Sequence, residues 1–214
     1  MSITDEFQKL VEAEDYDKAL AFLIQNQKEF DQGIFYYNKG TLDAKRGDLI
    51  NARISFEKAK AQGFINKDLV KNLEMTKDTL GVGYLEKTYS IESDLITTVV
   101  DMSLYTPIII SSMLLITFFV FFREIKNIFL ISIFFVISSL PLLGYYYVQE
   151  NFEKVIVKEE AIVRVGPSKI FDESQIIPAG MMVILKKNKS KNWANIYLPK
   201  SHGGWVQNIE TENL

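Results

Sequence analysis

The 214 residues contain no cysteine and a single histidine, His202, which excludes thiol nucleophiles, disulfides and every Cys/His zinc arrangement. Acid–base catalysis needs two groups whose surroundings push their pKa values apart. The adjacent acids Glu159-Glu160 and Asp172-Glu173 are most simply solvated turn charges. His202 stands just before Gly203-Gly204, in a turn, and without cysteine or a second histidine it reads as a loop residue rather than a general base. The chain is therefore expected not to be an enzyme and to need no cofactor or metal. What remains is recognition chemistry. Asn38 and Asn72 each carry an amide that can donate and accept at once, Lys45 adds a cation, and Trp193, Tyr197 and Trp205 offer aromatic surface that could stack on a ligand. Against this stand blander readings: solvated asparagines, and tryptophans that simply fill a small core.

The elements that would position these groups fall into three stretches. Between Met102 and Phe122 there are 21 residues without a charge, and between Asn127 and Gln149 there are 23, separated only by Arg123-Glu124-Ile125-Lys126. At about 1.5 Å per residue these runs would measure about 31 and 34 Å, close to a hydrocarbon core of about 30 Å. The first holds twelve Leu, Ile, Val or Phe residues, about −4 to −7 kcal/mol on an insertion scale. The expectation is a transmembrane hairpin over 102–149 (102–122 and 127–149) in the lipid bilayer. Tyr105 and Tyr145-Tyr146-Tyr147 would mark one membrane surface, and Ser111, Ser112, Ser138, Ser139 and Gly144 would allow close helix contact. Pro141 falls inside the second run. Neither run holds an ionisable residue, which argues against a transport path.

Two crossings would place both soluble parts on one side. Arg123 and Lys126 favour a cytoplasmic turn and outward-facing soluble parts; Lys154, Lys158 and a first twenty residues without a basic or apolar leader segment favour the opposite. A net charge of −3, with no long basic run, argues against nucleic acid as a partner.

Upstream, over 1–80, a period of 33 to 34 residues is visible. Ala19 precedes Ala52 by 33, and Asn72-Leu73 follows Asn38-Lys39 by 34. The run from Tyr36-Tyr37-Asn38-Lys39-Gly40 through Gly47-Asp48 to Ala52, Phe56 and Ala59 resembles a tetratricopeptide unit, with small residues where paired helices cross. Lys39 and Asp43 depart from the usual Leu and Tyr, and Phe64 stands where a Pro often ends the unit. Helices are expected near 3–13, 16–29, 33–46, 49–62 and 66–79, followed over 81–101 by an amphipathic connector carrying Ile91, Leu95, Ile96, Val99 and Val100 at helical spacing. The resemblance implies that Asn38 and Asn72 would hydrogen-bond the backbone of an extended peptide, with Lys45 adding charge recognition.

Over 150–214 the period changes to two. Val155-Ile156-Val157, Ala161–Val165, Met181–Leu185, Trp193–Leu198 and Gly204-Trp205-Val206 read as short strands. The order Val163-Arg164-Val165-Gly166-Pro167-Ser168, Pro178-Ala179-Gly180, Trp193, then Gly203-Gly204-Trp205-Val206 resembles the bacterial SH3-like domain, a small barrel that often binds peptides or peptidoglycan. The fold class expected is thus a multidomain membrane protein: an all-α helical repeat, a two-helix transmembrane hairpin and a small all-β barrel.

This order is similar to the tetratricopeptide proteins of the Bacteroides aerotolerance (Bat) operon, the BatE-like group. The resemblance implies a bacterial inner-membrane protein with periplasmic soluble parts, working beside von Willebrand factor A membrane proteins and a MoxR-type ATPase; the expected role is a scaffold, in which the repeat domain holds a protein partner and the barrel contacts a second protein or the cell wall.

Overall fold

A computed structural model describes residues 2–87, 90–121, 127–187, 192–207 and 211–213. They form eight α-helices followed by a seven-stranded antiparallel sheet. The first five helices are α1 (Ile3–Glu12), α2 (Tyr16–Gln25), α3 (Gln32–Lys45), α4 (Leu49–Ala61) and α5 (Lys67–Leu80). Each starts on Ser2, Asp15, Asp31, Asp48 or Asn66, whose side chain accepts a backbone N–H of the first turn, satisfying a donor that has no partner inside the helix.

Where α3 and α4 cross, a Cβ added at Gly40 would lie 2.6 Å from the Phe56 ring, so only glycine lets that ring in. One core joins Phe7, Ala19, Leu23, Phe35 and Leu42; a second joins Ala52, Phe56, Ala59, Leu69 and Leu73, and Tyr36 packs against both. Lys39 donates to Asp43 at 2.7 Å and to Ser55 Oγ at 3.3 Å. A small polar cluster thus stands where the tetratricopeptide pattern usually has Leu and Tyr.

The strands are β1 (Phe152–Val157), β2 (Ala161–Arg164), β3 (Glu173–Ile177), β4 (Met182–Lys186), β5 (Trp193–Leu198), β6 (Gly204–Gln207) and β7 (Thr211–Asn213), in the spatial order β3-β2-β6-β5-β4-β1-β7. Strands β3 and β7 were not expected. Ile177 of β3, at one edge, shares a core with Val155 and Val157 of β1, near the other, so the sheet curls on itself. In the β4–β5 ladder Leu185 pairs with Ile196 and Ile184 with Leu198. The extra residue, Tyr197, is a bulge that turns Ile196 into this core and Leu198 to the opposite face.

Three further helices complete the chain: α6 (Ile91–Val100), α7 (Tyr105–Phe121) and α8 (Ile128–Asn151). They overturn the expected fold class. Among the described residues helix α7 has 17, about 25 Å at 1.5 Å per residue, short of a hydrocarbon core of about 30 Å. Only together with α6, across a 107° bend, would it reach spanning length. The bend follows from the sequence at the junction: α6 is capped at Asp101, and Pro107 sits in the first turn of α7, where its missing N–H costs little. Among the described residues α8 alone is long and apolar enough to cross a membrane. The link 123–126 lies outside the described residues. Helices α7 and α8 run antiparallel, with Phe118 stacked on Phe134 at 4.2 Å and Ser111 and Ser138 buried. Gly144, expected at this contact, is exposed with nothing close to its Cβ position.

The expected separation into independent domains is corrected too. Val82, just past α5, is fully buried in the core of the sheet, with Leu80 and Leu85 beside it. Arg53 of α4, 0% exposed, donates to the Gly180 carbonyl and, at 2.7 Å, to Glu86; Glu86 in turn accepts the Met182 N–H at 2.7 Å. Gly180 has φ +80°, and a side chain there would strike Leu80. The expected connector is therefore a plug joining helices to sheet. Helix α8 runs into β1 without an intervening residue, and Gln149 donates to the Val99 and Val100 carbonyls at 3.1 Å. Ile96, Val100 and Val148 pack on Phe152, Ile184 and Leu198, which fixes α6 and the foot of α8 to the outer face of the sheet.

Candidate functional site

Between α3 and α5 lies a groove of about 300 Å³ whose lining includes Thr41, Lys45, Phe56, Asn72 and Met75. Lys45 and Asn72 are thus brought together. Asn38, a turn earlier on α3 and half-buried, is not among its lining residues. Thr41 donates to the Tyr37 carbonyl at 3.0 Å and Thr76 to the Asn72 carbonyl at 2.7 Å. Those hydroxyls serve their own helices, so the Asn72 amide and the exposed Lys45 ammonium are the groups suited to an incoming polar ligand. The Phe56 ring and Met75, 56% exposed, give the groove an apolar component, and methionine adapts to varied side chains.

A second surface lies on the outer face of the sheet. Asn195 is opposite Trp205 and Trp193 opposite Gln207, so Trp193 and Trp205 are diagonal neighbours on one face. Ala194 and Val206, each the residue after one of these tryptophans, point into the core. Both tryptophans are half-exposed. Arg164, in register with Trp205 across the β2–β6 ladder, donates to Glu173 at 2.7 Å and to the Phe171 carbonyl at 2.9 Å.

Tyr197 is engaged elsewhere. Its ring packs on Phe152 at 4.9 Å and its hydroxyl donates to Glu92 of α6, which also accepts from Lys200 at 2.7 Å. The Lys200 hydrogen bond, followed by that of Tyr197, holds the Glu92 carboxyl below its ordinary value. The bulge that turns the chain at Tyr197 is what hands this ring to α6, a detail invisible to a period-two reading.

His202 lies in a one-turn helix, with Nδ1 3.0 Å from Ser201 Oγ, and burial lowers its pKa. Among the described residues no cluster of three His, Cys, Asp or Glu side chains could hold a metal ion. Sequence reasoning missed Arg53 and Glu86. Arg53 stands amid buried residues of α4, and an arginine interrupting the apolar face of a repeat helix was the available signal.

No protein-family model matches the chain, and no curated protein or solved structure is significantly similar to it.

Proposed function

We propose that this chain is a non-enzymatic, membrane-anchored scaffold: α8 enters the bilayer, the α3–α5 groove holds an extended peptide of a protein partner, and the tryptophan face of the sheet meets a second protein. The observation that carries this reading is the state of α8. Only 6% of its most apolar stretch is buried, yet its foot is bonded to α6 and continuous with β1. A long apolar helix left uncovered by its own body calls for lipid or protein to cover it, and a rigid foot holds the groove at a set distance from that layer.

The repeat spacing around Ala52 and Phe56 supports a tetratricopeptide character for the helices, and the Trp193–Gly204–Trp205 order an SH3-like one for the sheet. With these, the bacterial inner membrane and a Bat-type envelope complex, with von Willebrand factor A proteins and a MoxR-type ATPase as partners, form the reading's finer version. Arg123 and Lys126 before α8 favour a periplasmic body.

The test is co-purification of the full chain from bacterial membranes with those proteins. Loss of the partners in Lys45→Glu/Asn72→Ala, with retention in Trp205→Ala, supports the groove; retention in both variants removes it. A second reading, in which the sheet binds cell wall, is favoured by the diagonal tryptophan pair. It predicts that sedimentation with purified peptidoglycan is lost in Trp205→Ala while protein partners are kept.

A further inference from the structure

A cavity of about 430 Å³ opens between the last turn of α4 and the foot of α8. Val100 and Phe152 give it an apolar floor, and Lys60, Lys154 and Lys187 stand around it. Gln149 also lines it, two residues beyond the Tyr145-Tyr146-Tyr147 run, so it sits at the depth where the apolar part of α8 ends. Headgroups lie at that level beside a membrane helix, and interfacial tyrosines mark it.

Two of the three cations here are placed rather than free-swinging. Lys187 donates its backbone N–H to the Asn151 carbonyl at 2.7 Å and its ammonium to the Gln149 carbonyl at 2.8 Å, at the helix end where a cation is favoured. An ammonium has three donors, so this contact uses one. Lys154 is held by both oxygens of Asp101, at 2.8 and 2.9 Å. Lys60 faces the cavity from the exposed last turn of α4.

Three acids also line the space: Glu57, Asp101 and Glu153. Asp101 is committed to Lys154, and Glu57 lies 3.9 Å from Arg53 and 4.0 Å from Lys77. Lys60 and Lys187 therefore outweigh Glu153, and the local balance favours an anion. Ile65, 69% exposed, stands beside the cavity, an apolar neighbour suited to the glycerol and first acyl carbons.

We infer that this cleft binds the phosphate of a membrane phospholipid headgroup, with Lys187 and Lys60 as its principal donors. The inference rests on α8 lying in lipid. The full chain, extracted into a maltoside detergent that contains no phosphate, is expected to retain about one phospholipid, with a loss of about tenfold or more in Lys60→Gln/Lys187→Gln, equivalent to at least about 1.4 kcal/mol. Native mass spectrometry counts the lipid, and flotation with phosphatidylethanolamine vesicles reports the anchor separately. Lys186→Gln, which changes a neighbouring lysine outside the cavity, should retain it.

Equal retention by wild type and the double variant overturns the site, as does displacement of the lipid by millimolar inorganic phosphate, which would mark a free-anion site. Flotation of the wild type without retained phospholipid also overturns the site but leaves the anchor standing. Failure of the wild type to float removes both.

Discussion

Glu212, on the last strand, accepts from Lys58 of α4 at 2.5 Å and lies 2.9 Å from Lys158. The Lys58 hydrogen bond, then that of Lys158, lowers its pKa from 4.5 to about 2. A carboxyl whose folded pKa is depressed contributes stability that is fully present above its unfolded value and is lost as pH falls through the folded one. The contribution should therefore hold above about pH 4.5 and fade toward pH 2. Because the side chain is about one-third exposed, solvent screening reduces it to about 1 kcal/mol. Glu212→Gln should lower the melting temperature at pH 7, and the gap from wild type should close as the buffer is taken from pH 4.5 toward 2. A gap unchanged across that range would remove the clasp. At this scale the repeat period pairs Asn38 with Asn72, whereas the groove is lined by Lys45 and Asn72 and not by Asn38, because helix packing rather than period decides which side chains share a surface. Glu212 could not be paired from sequence either, since its partners are 154 and 54 residues away.

Helix α8 is the element on which the proposed location depends. Val136 is 60% exposed near its middle, so an arginine there would meet the surrounding medium rather than a neighbouring side chain. An arginine at the centre of an inserted helix costs about 2.5–3.5 kcal/mol. Val136→Arg should accordingly move a substantial part of the chain from the membrane fraction to the soluble fraction, whereas a helix that never enters lipid would tolerate the change with no redistribution. The five N-terminal helices lie within a few residues of where caps and apolar period predict them, because local hydrogen bonds and side-chain spacing set helix ends. Helix α7 starts at Tyr105, inside its uncharged run, for a reason of the same kind, the Asp101 cap and the bend before Pro107. Strand β3 is hidden from a sequence reading because Asp172-Glu173 has the composition of a solvated turn, yet Glu173 is tied to Arg164 across the ladder.

For the molecule as a whole the consequence is cooperativity. The Val82 plug and the Arg53–Glu86–Gly180 bonds tie α4 and α5 to the sheet, so helices α1 to α5 and the strands should unfold in one transition. Helical and near-ultraviolet tryptophan signals are expected to melt together. Arg53→Ala, which removes the fully buried guanidinium from Glu86 and from the Gly180 carbonyl while Lys77 and the Met182 N–H still face Glu86, should destabilise that shared transition by about 3 kcal/mol. Two separate transitions, or a loss confined to the helical signal, would show that the halves are independent after all. A joined body also means that a peptide in the α3–α5 groove and a ligand on the tryptophan face would be held at one fixed separation, which is what a scaffold requires.

The five N-terminal helices, the change to short strands after residue 150 and the uncharged stretches were readable in the amino-acid sequence alone, because caps, periods and charge-free runs are local properties of a chain. What joins those pieces was decided only in three dimensions. An arginine in α4 meets a carbonyl 127 residues later, a valine after α5 enters a core made of strands, and a one-residue bulge diverts Tyr197 from the aromatic face to α6. Such contacts depend on which surfaces happen to be complementary after folding, and neither spacing nor composition records that.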